Sequence, residues 1–462
     1  MKRSLPSTLR RWGHQSVRTA VGCLPRDWRF ALFRAMVQCD STPDPRLQLK
    51  IADTQDELES CFALLHDAYV SAGFMQPHAS GLRVTPYHAL PTTTTLCAKF
   101  DGQVVGTLSL IRDGVFGFPM QSAFDLSSVR DKGGKIAEVS ALAIRSDFRL
   151  TGGSILFPLM KFMYEYAVNY FDTRHLVIAV NPNKVELYES LLFFERLLAE
   201  EIDRYDFANG APAVGATLDI NLAQKHFRRV YANRGSRRNL HRYFTETKLS
   251  NILLPVRPYH TTNDPVLTPV LLDHFFKQRT RVFEQLDDRR RLLLRSIYDR
   301  VEYDAVLPTV VSPASVEMRQ HPRYSVRCPA NYMPTRTTGA RAIAMTVIEI
   351  SRLGFRVECD ADVPLGAGGR LLVELGVGRW AQVVAHCVRQ AARGSGPQAD
   401  GQFGFKIDQP DAVWLECVHA LESGQTHADL MSTLRGATQR LPSAGELPAI
   451  RPRSEDSLSL LA

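Results

Sequence analysis

The sequence lacks any run of about 18 apolar residues, which is the length that a transmembrane helix requires. Its eight cysteines are scattered without a single C-x-x-C pair, which argues against a zinc ribbon and against a disulfide framework. No internal repeat is present, and a hydrophobic fraction of 45% with 23% charged residues excludes a wholly disordered chain. These absences predict a globular protein that binds no metal and resides in the reducing cytoplasm.

What the chain has is length and positive charge. At 462 residues it is long enough for two or three domains, and its net charge of +8 favours an acidic partner. Residues 1–46 form a basic N-terminal segment, in which eight Lys or Arg side chains precede Asp40 and Trp12, Trp28 and Phe30 stand among them. This segment is either a basic amphipathic stretch that contacts anionic membrane or a mobile basic tail.

From Leu47 onward the pattern alternates between strands and helices, which is typical of an α/β domain. Thr54 and Glu57 form a capping box for a helix that we expect to reach about Ala72. Asp101-Gly102 is a hairpin turn signal between two apolar runs. The other predicted elements are strands at Leu47–Ile51, Leu96–Phe100, Gln103–Ile111, Lys135–Ile144 and Leu176–Val180, and helices at Ser154–Phe171, capped by Ser154, and at Val185–Leu192.

Residues 220–308 are predicted to be a basic helical appendage. Seven Lys or Arg and no acid lie from Lys225 to Arg242, and a long helix is expected from about Pro269 to Tyr298. Three interpretations of the basic face are open: a solvated surface, a nucleic-acid surface with stacked aromatics, or a docking surface for an acidic protein. No known nucleic-acid motif surrounds the aromatics, so nucleic acid is not expected as a partner.

Residues of the types used in catalysis and anion binding are concentrated between positions 135 and 194. The strand Lys135–Ile144 holds a lone carboxylate, Glu138, and runs into Arg149-Leu-Thr-Gly152-Gly153-Ser154. Glycines ahead of a helix leave backbone N–H groups free to bind an anion. Asn181 follows the next strand, and Tyr188 lies seven residues later. Each of these residues also has an alternative interpretation with no catalytic or binding role. The glycines could form only a tight turn, Glu138 could have a structural role, and Tyr188 could be a packed helix residue.

This order resembles the GNAT acyltransferase superfamily, whose closing motif is matched by Asn181, Tyr188 and Phe193, with Leu192 where the family has Gly. Over about residues 47–308 the chain is similar to the long-chain N-acyl amino acid synthases, which are relatives of the acyl-homoserine lactone synthases. The similarity rests on Glu138-Val-Ser140-x-Leu142-Ala143-Ile144, on Phe118-Pro119, on Phe124 and on the Leu-rich helices of the appendage. It implies a GNAT-like mixed sheet with flanking helices, and a fatty acyl donor bound to acyl carrier protein.

The reaction and the resemblance together predict roles for individual residues, because an amine must lose a proton before it can attack a thioester carbonyl. Glu138 is the expected base for the amine of an amino acid acceptor, and Tyr188 is expected to protonate the leaving thiolate. An arginine, Arg145 or Arg149, would pair with the acceptor carboxylate or the pantetheine phosphate. No tightly bound cofactor is implied. The residues expected to bind the acyl-phosphopantetheine donor are Ser140, Leu142, Arg149, Gly152, Gly153, Ser154 and Asn181.

A second constellation lies in a β-rich region toward the C-terminus. Arg319-Gln-His-Pro-Arg323 is followed, 26 residues after Arg323, by Glu349-Ile-Ser351-Arg-Leu-Gly354. Strands are predicted at Ile343–Ile350, Phe355–Cys359, Arg370–Leu375, Trp380–Val388 and Gln402–Ile407, with a helix near Asp411–Leu421. Residues 425–462 are expected to be a disordered tail.

These residues resemble the PilZ domain over about residues 317–424, with Glu349 where the family has Asp. The resemblance implies a six-stranded antiparallel β-barrel and a cyclic di-GMP site made by Arg319, Arg323, Glu349, Ser351 and Gly354. The alternative is a PilZ fold used only for packing. The whole sequence thus predicts an N-acyltransferase that cyclic di-GMP regulates. The competing hypotheses are a non-enzymatic cyclic di-GMP receptor with a degenerate acyltransferase domain, and an acetyl-CoA N-acetyltransferase.

Overall fold

The computed structural model describes residues 24–149, 153–310, 322–335, 342–391 and 401–424, so Gly152, Arg319 and the predicted disordered tail lie outside the described residues. The helices are α1 (Arg26–Ala35), α2 (Gln55–Ala72), α3 (Ser127–Arg130), α4 (Leu156–Asn169), α5 (Pro182–Leu192), α6 (Ile220–Tyr231), α7 (Leu240–Thr245), α8 (Pro269–Asp273), α9 (Asp288–Ile297) and α10 (Ala412–Glu422). The strands are β1 (Leu47–Ile51), β2 (Thr93–Phe100), β3 (Gln103–Arg112), β4 (Lys135–Ile144), β5 (Thr173–Val180), β6 (Glu195–Arg196), β7 (Ile202–Tyr205), β8 (Ala211–Asp219), β9 (Tyr324–Pro334), β10 (Ile343–Ser351), β11 (Gly354–Cys359), β12 (Gly368–Gly376), β13 (Arg379–Ala391) and β14 (Gly401–Gln409).

The first eight strands form one mixed sheet in the order β1-β2-β3-β4-β5-β8-β6, with β7 also paired to β8. Every neighbouring pair is antiparallel except β4 and β5, which are parallel. Side chains alternate between the two faces of the sheet, so Leu96 and Ala98 enter one core while Cys97 enters the other. Helices α4, α6 and α7 cover the first face, and α2 with the segment around α8 and α9 covers the second. The predicted GNAT-like mixed sheet with flanking helices is confirmed.

The last six strands close into an antiparallel barrel in the order β10-β11-β14-β13-β12-β9. Helix α10 packs against this barrel through Trp414, which is fully buried and donates its indole N–H to the Ser351 carbonyl oxygen at 3.1 Å. The predicted six-stranded antiparallel barrel is confirmed. β9 was not predicted, because Pro329 and Pro334 interrupt its β pattern.

Local signals explain several of these elements. The Thr54 hydroxyl accepts a hydrogen bond from the Glu57 N–H at 3.3 Å and starts α2 where the capping box predicted it. Asp101 and Gly102 both have positive φ angles, 49° and 79°, as a two-residue hairpin turn requires. The prediction for Ser154 was wrong, since α4 begins at Leu156 with Ile155 as an N-cap that makes no side-chain cap bond.

The predicted long helix from Pro269 to Tyr298 was wrong. α8 passes into one π-helical turn, His274–Arg279, and ends at Thr280, which is extended at φ −133° and ψ 160°. The Thr280 hydroxyl donates to the Phe275 carbonyl oxygen at 2.6 Å, and this side-chain bond competes with continued helix. A new helix, α9, then starts at the Asp287 N-cap.

The N-terminal segment is folded from residue 24 onward, so the mobile-tail interpretation was wrong for that part. Helix α1 lies against α5, where the Arg29 Nε donates to Glu186 at 3.0 Å and Arg26 pairs with Glu189 at 3.3 Å. Just beyond α1, Val37 and Cys39 are buried in the core of the sheet. Among the described helices, none is both long and apolar enough to cross a membrane.

Residues 249–264 form an extended segment, which we call the strap, that joins the sheet to the barrel. On the sheet side, the Leu253 N–H donates to the Leu49 carbonyl oxygen at 2.8 Å. On the barrel side, the His260 N–H donates to the Leu375 carbonyl oxygen at 2.8 Å, and Tyr259 is buried in the barrel core. The appendage is therefore not helical throughout, and the strap packs the two bodies together.

Close backbone contact between strap and barrel gives a first testable prediction. A Cβ added at Gly376 would lie 2.1 Å from the Pro258 carbonyl oxygen, so Gly376→Ala should destabilise the protein by about 1–3 kcal/mol. Urea unfolding measures this loss. Gly368→Ala is the matched control, because a Cβ there meets nothing within 4 Å. Equal stability of the two variants would contradict the described packing.

Candidate active site

The central feature of the sheet is the place where β4 and β5 separate. Their parallel pairing runs from Lys135 opposite Thr173 to Glu138 opposite Val177 and stops there. β4 nevertheless continues to Ile144, still paired with β3 on its other side. Residues 139–142 therefore face a gap instead of a neighbouring strand, and all four are partly exposed. Backbone N–H groups on such an open edge are available to a substrate carbonyl.

A β-bulge lies in β4 within this gap. Ala141 and Leu142 together oppose the single residue Leu108 of β3, because Ser140 pairs with Ser109 and Ala143 pairs with Thr107. Ala141 has a φ angle of 55°, an uncommon backbone conformation for a residue with a side chain. Bulges bend a strand and redirect its backbone groups. An alanine carries no sequence signal for this conformation, so the sequence could not predict the bulge.

Glu138 lies at the apex of the gap and is 2% exposed. Its Oε2 accepts a hydrogen bond from the Met120 N–H at 3.1 Å. Burial raises the pKa of Glu138 to about 8, against a smaller lowering by that hydrogen bond. Phe118 and Phe124, which carried part of the family resemblance, are buried on either side of Met120. Glu138 is thus a carboxyl group that holds its proton at neutral pH and releases it in mild base.

Tyrosines and one arginine lie around Glu138, and no sequence motif predicted them. Burial raises the pKa values of Tyr69 and Tyr205, and the negative charge of Glu138 adds to both. The Arg83 guanidinium lies 4.1 Å from the ring centre of Tyr69, and burial lowers the pKa of Arg83. No described carboxylate pairs with Arg83, and the Tyr205 hydroxyl has no described hydrogen-bond partner.

Tyr188 lies on α5 and packs against the core on the first face of the sheet, whereas Met120 and Tyr205 belong to the core on the second face. The Tyr188 ring packs edge-on against Phe194 at 6.0 Å, and burial together with the nearby Tyr69 raises the pKa of Tyr188 to about 12. Asn181 caps α5, because its Oδ1 accepts from the Asn183 N–H at 3.0 Å. Tyr69 interacts electrostatically with both Tyr188 and Glu138 and so connects them, whereas Asn181 has a local structural contact.

The predicted donor-binding residues divide into two groups. Ser140 and Leu142 lie on the open edge of β4. Arg149 is exposed and donates to the Ile144 carbonyl oxygen at 2.7 Å, while Arg145 is engaged by Asp147 at 2.8 and 2.9 Å. Gly153 has a φ angle of 90°, and a Cβ there would lie 2.6 Å from the Phe157 ring. Gly153 therefore shapes the turn before α4, next to Ser154.

An apolar cavity of about 40 Å³ lies beside this cluster, between α4, α6 and the strands β5 and β8. Its lining includes Met160, Leu192, Phe194 and Phe227. This volume is far below the roughly 300–1,000 Å³ of typical ligand pockets, and Glu138 does not line it. A long acyl chain could therefore occupy this region only after side chains move apart.

In the barrel, the hairpin between β10 and β11 brings together four of the five residues predicted to bind cyclic di-GMP. Arg323 donates to Glu349 at 2.8 Å, and the second Glu349 oxygen accepts from Arg356 at 3.1 Å. The Ser351 hydroxyl donates to the Gly354 carbonyl oxygen at 3.0 Å and closes the turn. A Cβ at Gly354 would lie 3.0 Å from the Phe405 carbonyl oxygen, so the glycine permits close strand contact.

Comparison with known proteins bears on the sheet-bearing part of the chain. Residues 60–219, about a third of the chain, match the family model described as N-acyl amino acid synthase FeeM. No curated protein matches the chain. The parted strands and Glu138 lie inside the matched range.

Three solved structures that are each similar to part of this chain are described next. FeeM, an N-acyl amino acid synthase from uncultured soil microbes, is 24% identical over 39% of this chain and 95% of that chain, with a TM-score of 0.33. BjaI, a CoA-dependent acyl-homoserine lactone synthase, is 20% identical over 39% and 89%, with a TM-score of 0.31. The Bacillus subtilis inhibitor of motility MotI/DgrA is 15% identical over 26% and 58%, with a TM-score of 0.20. At these values none of them assigns a substrate or ligand to this chain. The family match makes the sheet-bearing part of the chain an acyltransferase domain.

Proposed function

We propose that this protein transfers a long-chain fatty acyl group from acyl carrier protein to the amine of an amino acid, and that its barrel is a PilZ domain that binds cyclic di-GMP as a regulator. The observation that carries the first part is the separation of β4 from β5 at a buried carboxyl group, Glu138, inside the range matched by an N-acyl amino acid synthase family.

The chemistry follows from the groups around the gap. Glu138, once deprotonated, takes a proton from the ammonium form of the acceptor, directly or through water, and the free amine attacks the thioester carbonyl. Backbone N–H groups of residues 139–142 stabilise the oxyanion that develops. The C–N bond forms, the C–S bond breaks, and Tyr188 protonates the thiolate. The attacking nitrogen then gives its second proton to the Tyr188 phenolate, which restores the hydroxyl. A pKa of about 12 keeps the Tyr188 hydroxyl protonated at neutral pH, as a proton donor must be.

Arg83 is the group best suited to hold the acceptor carboxylate. Arg83 is half-buried, its Nη2 donates to the Phe207 carbonyl oxygen at 2.8 Å, and no described carboxylate lies within ion-pair distance of it. Its guanidinium packs between the rings of Tyr69 and Phe207, at 4.1 and 5.0 Å, which fixes its orientation. An amino acid bound through Arg83 would place its amine on the Glu138 side of the cluster. This role replaces the one expected for Arg145, which is already paired with Asp147.

The basic surface of the appendage supports acyl carrier protein as the donor. Lys225, Arg228 and Arg229 are exposed on α6, and Arg237 and Arg238 are exposed just after it. Acyl carrier protein is strongly acidic, so this face is complementary to it in charge. We expect a palmitoyl thioester of acyl carrier protein to be used faster than palmitoyl-CoA, measured as thiol release in the presence of amino acids. Faster turnover of acetyl-CoA than of either would instead favour the N-acetyltransferase hypothesis.

The role of Tyr188 has a direct test. Tyr188→Phe removes the proton donor but keeps the ring, so kcat should fall by about 10- to 100-fold while KM for the acyl donor changes little. Steady-state kinetics with purified acyl carrier protein measure both constants. Tyr164→Phe is the matched control, since the Tyr164 hydroxyl accepts from the Gln224 side chain outside the cluster. Equal kcat values for both variants would remove Tyr188 from the mechanism.

Cyclic di-GMP binding is supported by the arginine and carboxylate cluster of the β10–β11 hairpin. Arginine forks bind phosphates and guanine edges in a bidentate manner, and a carboxylate accepts hydrogen bonds from guanine N–H groups. Arg323 is 43% exposed, so a ligand can reach it from solvent. Arg319 lies outside the described residues and keeps the role that the PilZ resemblance implies.

Loss of the Arg323 side chain should therefore weaken cyclic di-GMP binding by at least tenfold, measured by isothermal titration calorimetry. Arg379→Ala is the matched control, because Arg379 is also a barrel arginine, is also 43% exposed and pairs with a carboxylate, Glu416. If Arg323→Ala binds as tightly as the wild type, or if the wild type shows no binding, the barrel is not a cyclic di-GMP receptor.

A further inference from the structure

A second, larger cavity lies where the sheet meets the barrel. We call it the interface cavity, and its volume is about 380 Å³, within the range of small-molecule sites. The sheet and the segments next to it contribute Arg112, Arg130, Lys135 and Asp113 to its lining, and the barrel contributes Ser325 and Arg356. Four cationic side chains therefore face one acidic side chain among these lining residues.

The cations of the interface cavity are incompletely compensated. Arg130 pairs with Asp113, and Lys135 lies 3.3 Å from Asp172. Arg112 is 7% exposed, yet no described carboxylate lies within ion-pair distance of it. Its Nη1 donates to the Ser325 hydroxyl at 3.1 Å and its Nη2 donates to the Asn263 side-chain oxygen, but its Nε has no hydrogen-bond partner among the described residues. A buried guanidinium with an unused donor is costly unless a ligand supplies the missing acceptor.

The electrostatics of Lys135 agree with this geometry. Its Nζ is buried and makes no hydrogen bond to a described residue. Burial, together with the positive charges of Arg112, Arg327 and Arg356 and against the opposing effect of Glu358, lowers the pKa of Lys135 to about 7. Arg130, Lys135 and Arg356 each have a carboxylate partner, whereas Arg112 has none among the described residues, so a bound anion would compensate the charge of Arg112.

We propose that the interface cavity binds a small molecule bearing phosphate, which Arg112 and Lys135 of the sheet and Arg356 of the barrel hold together. Charge-assisted hydrogen bonds from arginine and lysine are the ordinary means of binding phosphate. Lys135 starts β4 and lies three residues before Glu138, while Arg356 pairs with Glu349 of the barrel hairpin. An occupied cavity therefore ties the barrel to the strand that carries the candidate base.

Isothermal titration of the full chain tests this proposal, with sodium pyrophosphate and cyclic di-GMP as separate probes at constant ionic strength. Lys135→Gln and Arg356→Gln should each weaken binding of at least one probe tenfold or more. Lys132→Gln is the matched control, since Lys132 is exposed on the adjoining loop and does not line the cavity. Arg356 is 44% exposed, so its replacement tests the cavity even if Lys135→Gln fails to fold.

The outcomes separate the interface cavity from the proposed PilZ function. Pyrophosphate binding that depends on Lys135, without cyclic di-GMP binding, supports the cavity and contradicts the PilZ regulator. Cyclic di-GMP binding that depends on both Lys135 and Arg323 makes the dinucleotide the occupant. Cyclic di-GMP binding that depends on Arg323 but is unchanged in Lys135→Gln and Arg356→Gln overturns the cavity proposal alone. Failure of both probes to bind overturns it as well.

Discussion

Replacement of Glu138 with glutamine is expected to slow amine-dependent acyl transfer by about 10²- to 10⁴-fold, the range that a general base usually contributes. Glutamine has nearly the same shape, and its side-chain oxygen can still accept from the Met120 N–H that Glu138 engages at 3.1 Å. What it cannot do is take a proton. KM for the acyl donor should therefore change little while kcat falls. A variant that keeps kcat within about threefold of the wild type would show that Glu138 is structural.

The raised pKa of Glu138 gives this prediction a pH signature. Because the base form appears only above the folded-state pKa, wild-type kcat should rise with pH through about 8, and the residual activity of Glu138→Gln should lack that rise. Stability should change in the opposite direction. The folded state binds the proton more tightly than the unfolded state, so the free energy of unfolding should fall between about pH 4.5 and pH 8 in the wild type. Glutamine removes this pH dependence.

Glu57→Gln is the matched control for Glu138→Gln. Glu57 is also a buried carboxyl group, but Lys50 and Lys99 bind it at 2.8 and 2.6 Å. These lysines hold the pKa of Glu57 at about 2 against the effect of burial, so it stays ionised. Its replacement should lower stability and leave kcat per folded molecule unchanged. A comparable loss of kcat in both variants would mean that the Glu138 effect reflects general damage to the sheet.

Replacement of Asp264 with alanine is expected to cost about 3–5 kcal/mol of stability, which is typical when one partner of a buried ion pair is removed. The Asp264 carboxylate is buried in the strap and accepts hydrogen bonds from Arg257, at 2.6 Å, and from the hydroxyls of Tyr166 and Thr94. Arg257 is itself buried, with 6% of its side chain exposed, so alanine would leave its charge without this carboxylate. Urea unfolding with linear extrapolation gives the loss directly.

An exposed ion pair serves as the control for Asp264. Asp206 pairs with Arg204 at 2.8 Å, but more than three quarters of each side chain is exposed to solvent. Solvent screens such pairs, so Asp206→Ala should leave the unfolding midpoint nearly unchanged. If Asp264→Ala costs no more than Asp206→Ala, the strap is not anchored to the sheet side of the molecule as described.

The sequence predicted those elements whose signals are local. Apolar alternation predicted the strand Leu47–Ile51, and the hydroxyl of Thr54 predicted the N-cap of α2. The Asp-Gly pair predicted a turn at Asp101-Gly102, where both φ angles are positive. All three elements are present in the structure. β8 escaped prediction because it is rich in small residues. The structure gives the reason, since a Cβ at Gly215 would lie 2.6 Å from the Phe124 ring. The small residues of β8 are therefore explained by tertiary packing and not by strand propensity.

The candidate site was also predictable only where local sequence signals point to its residues. Glu138 and Tyr188 were found because a strand and a helix with recognisable spacing carry them. Arg83 and Tyr205 are far apart in sequence and meet only when the sheet folds, so no spacing rule could have linked them to Glu138. The interface cavity was equally hidden, because Lys135 and Arg356 come from two different bodies that the strap brings together.

The central claim is that an amine attacks a carrier-bound thioester beside Glu138. It is tested most directly by the mass of the product formed when the full chain is mixed with palmitoyl acyl carrier protein and amino acids. The expected product is an N-palmitoyl amino acid, formed in an amount equal to the thiol released and absent when amino acids are omitted. Folded protein that releases only free fatty acid, or no thiol at all with and without cyclic di-GMP, would contradict the claim.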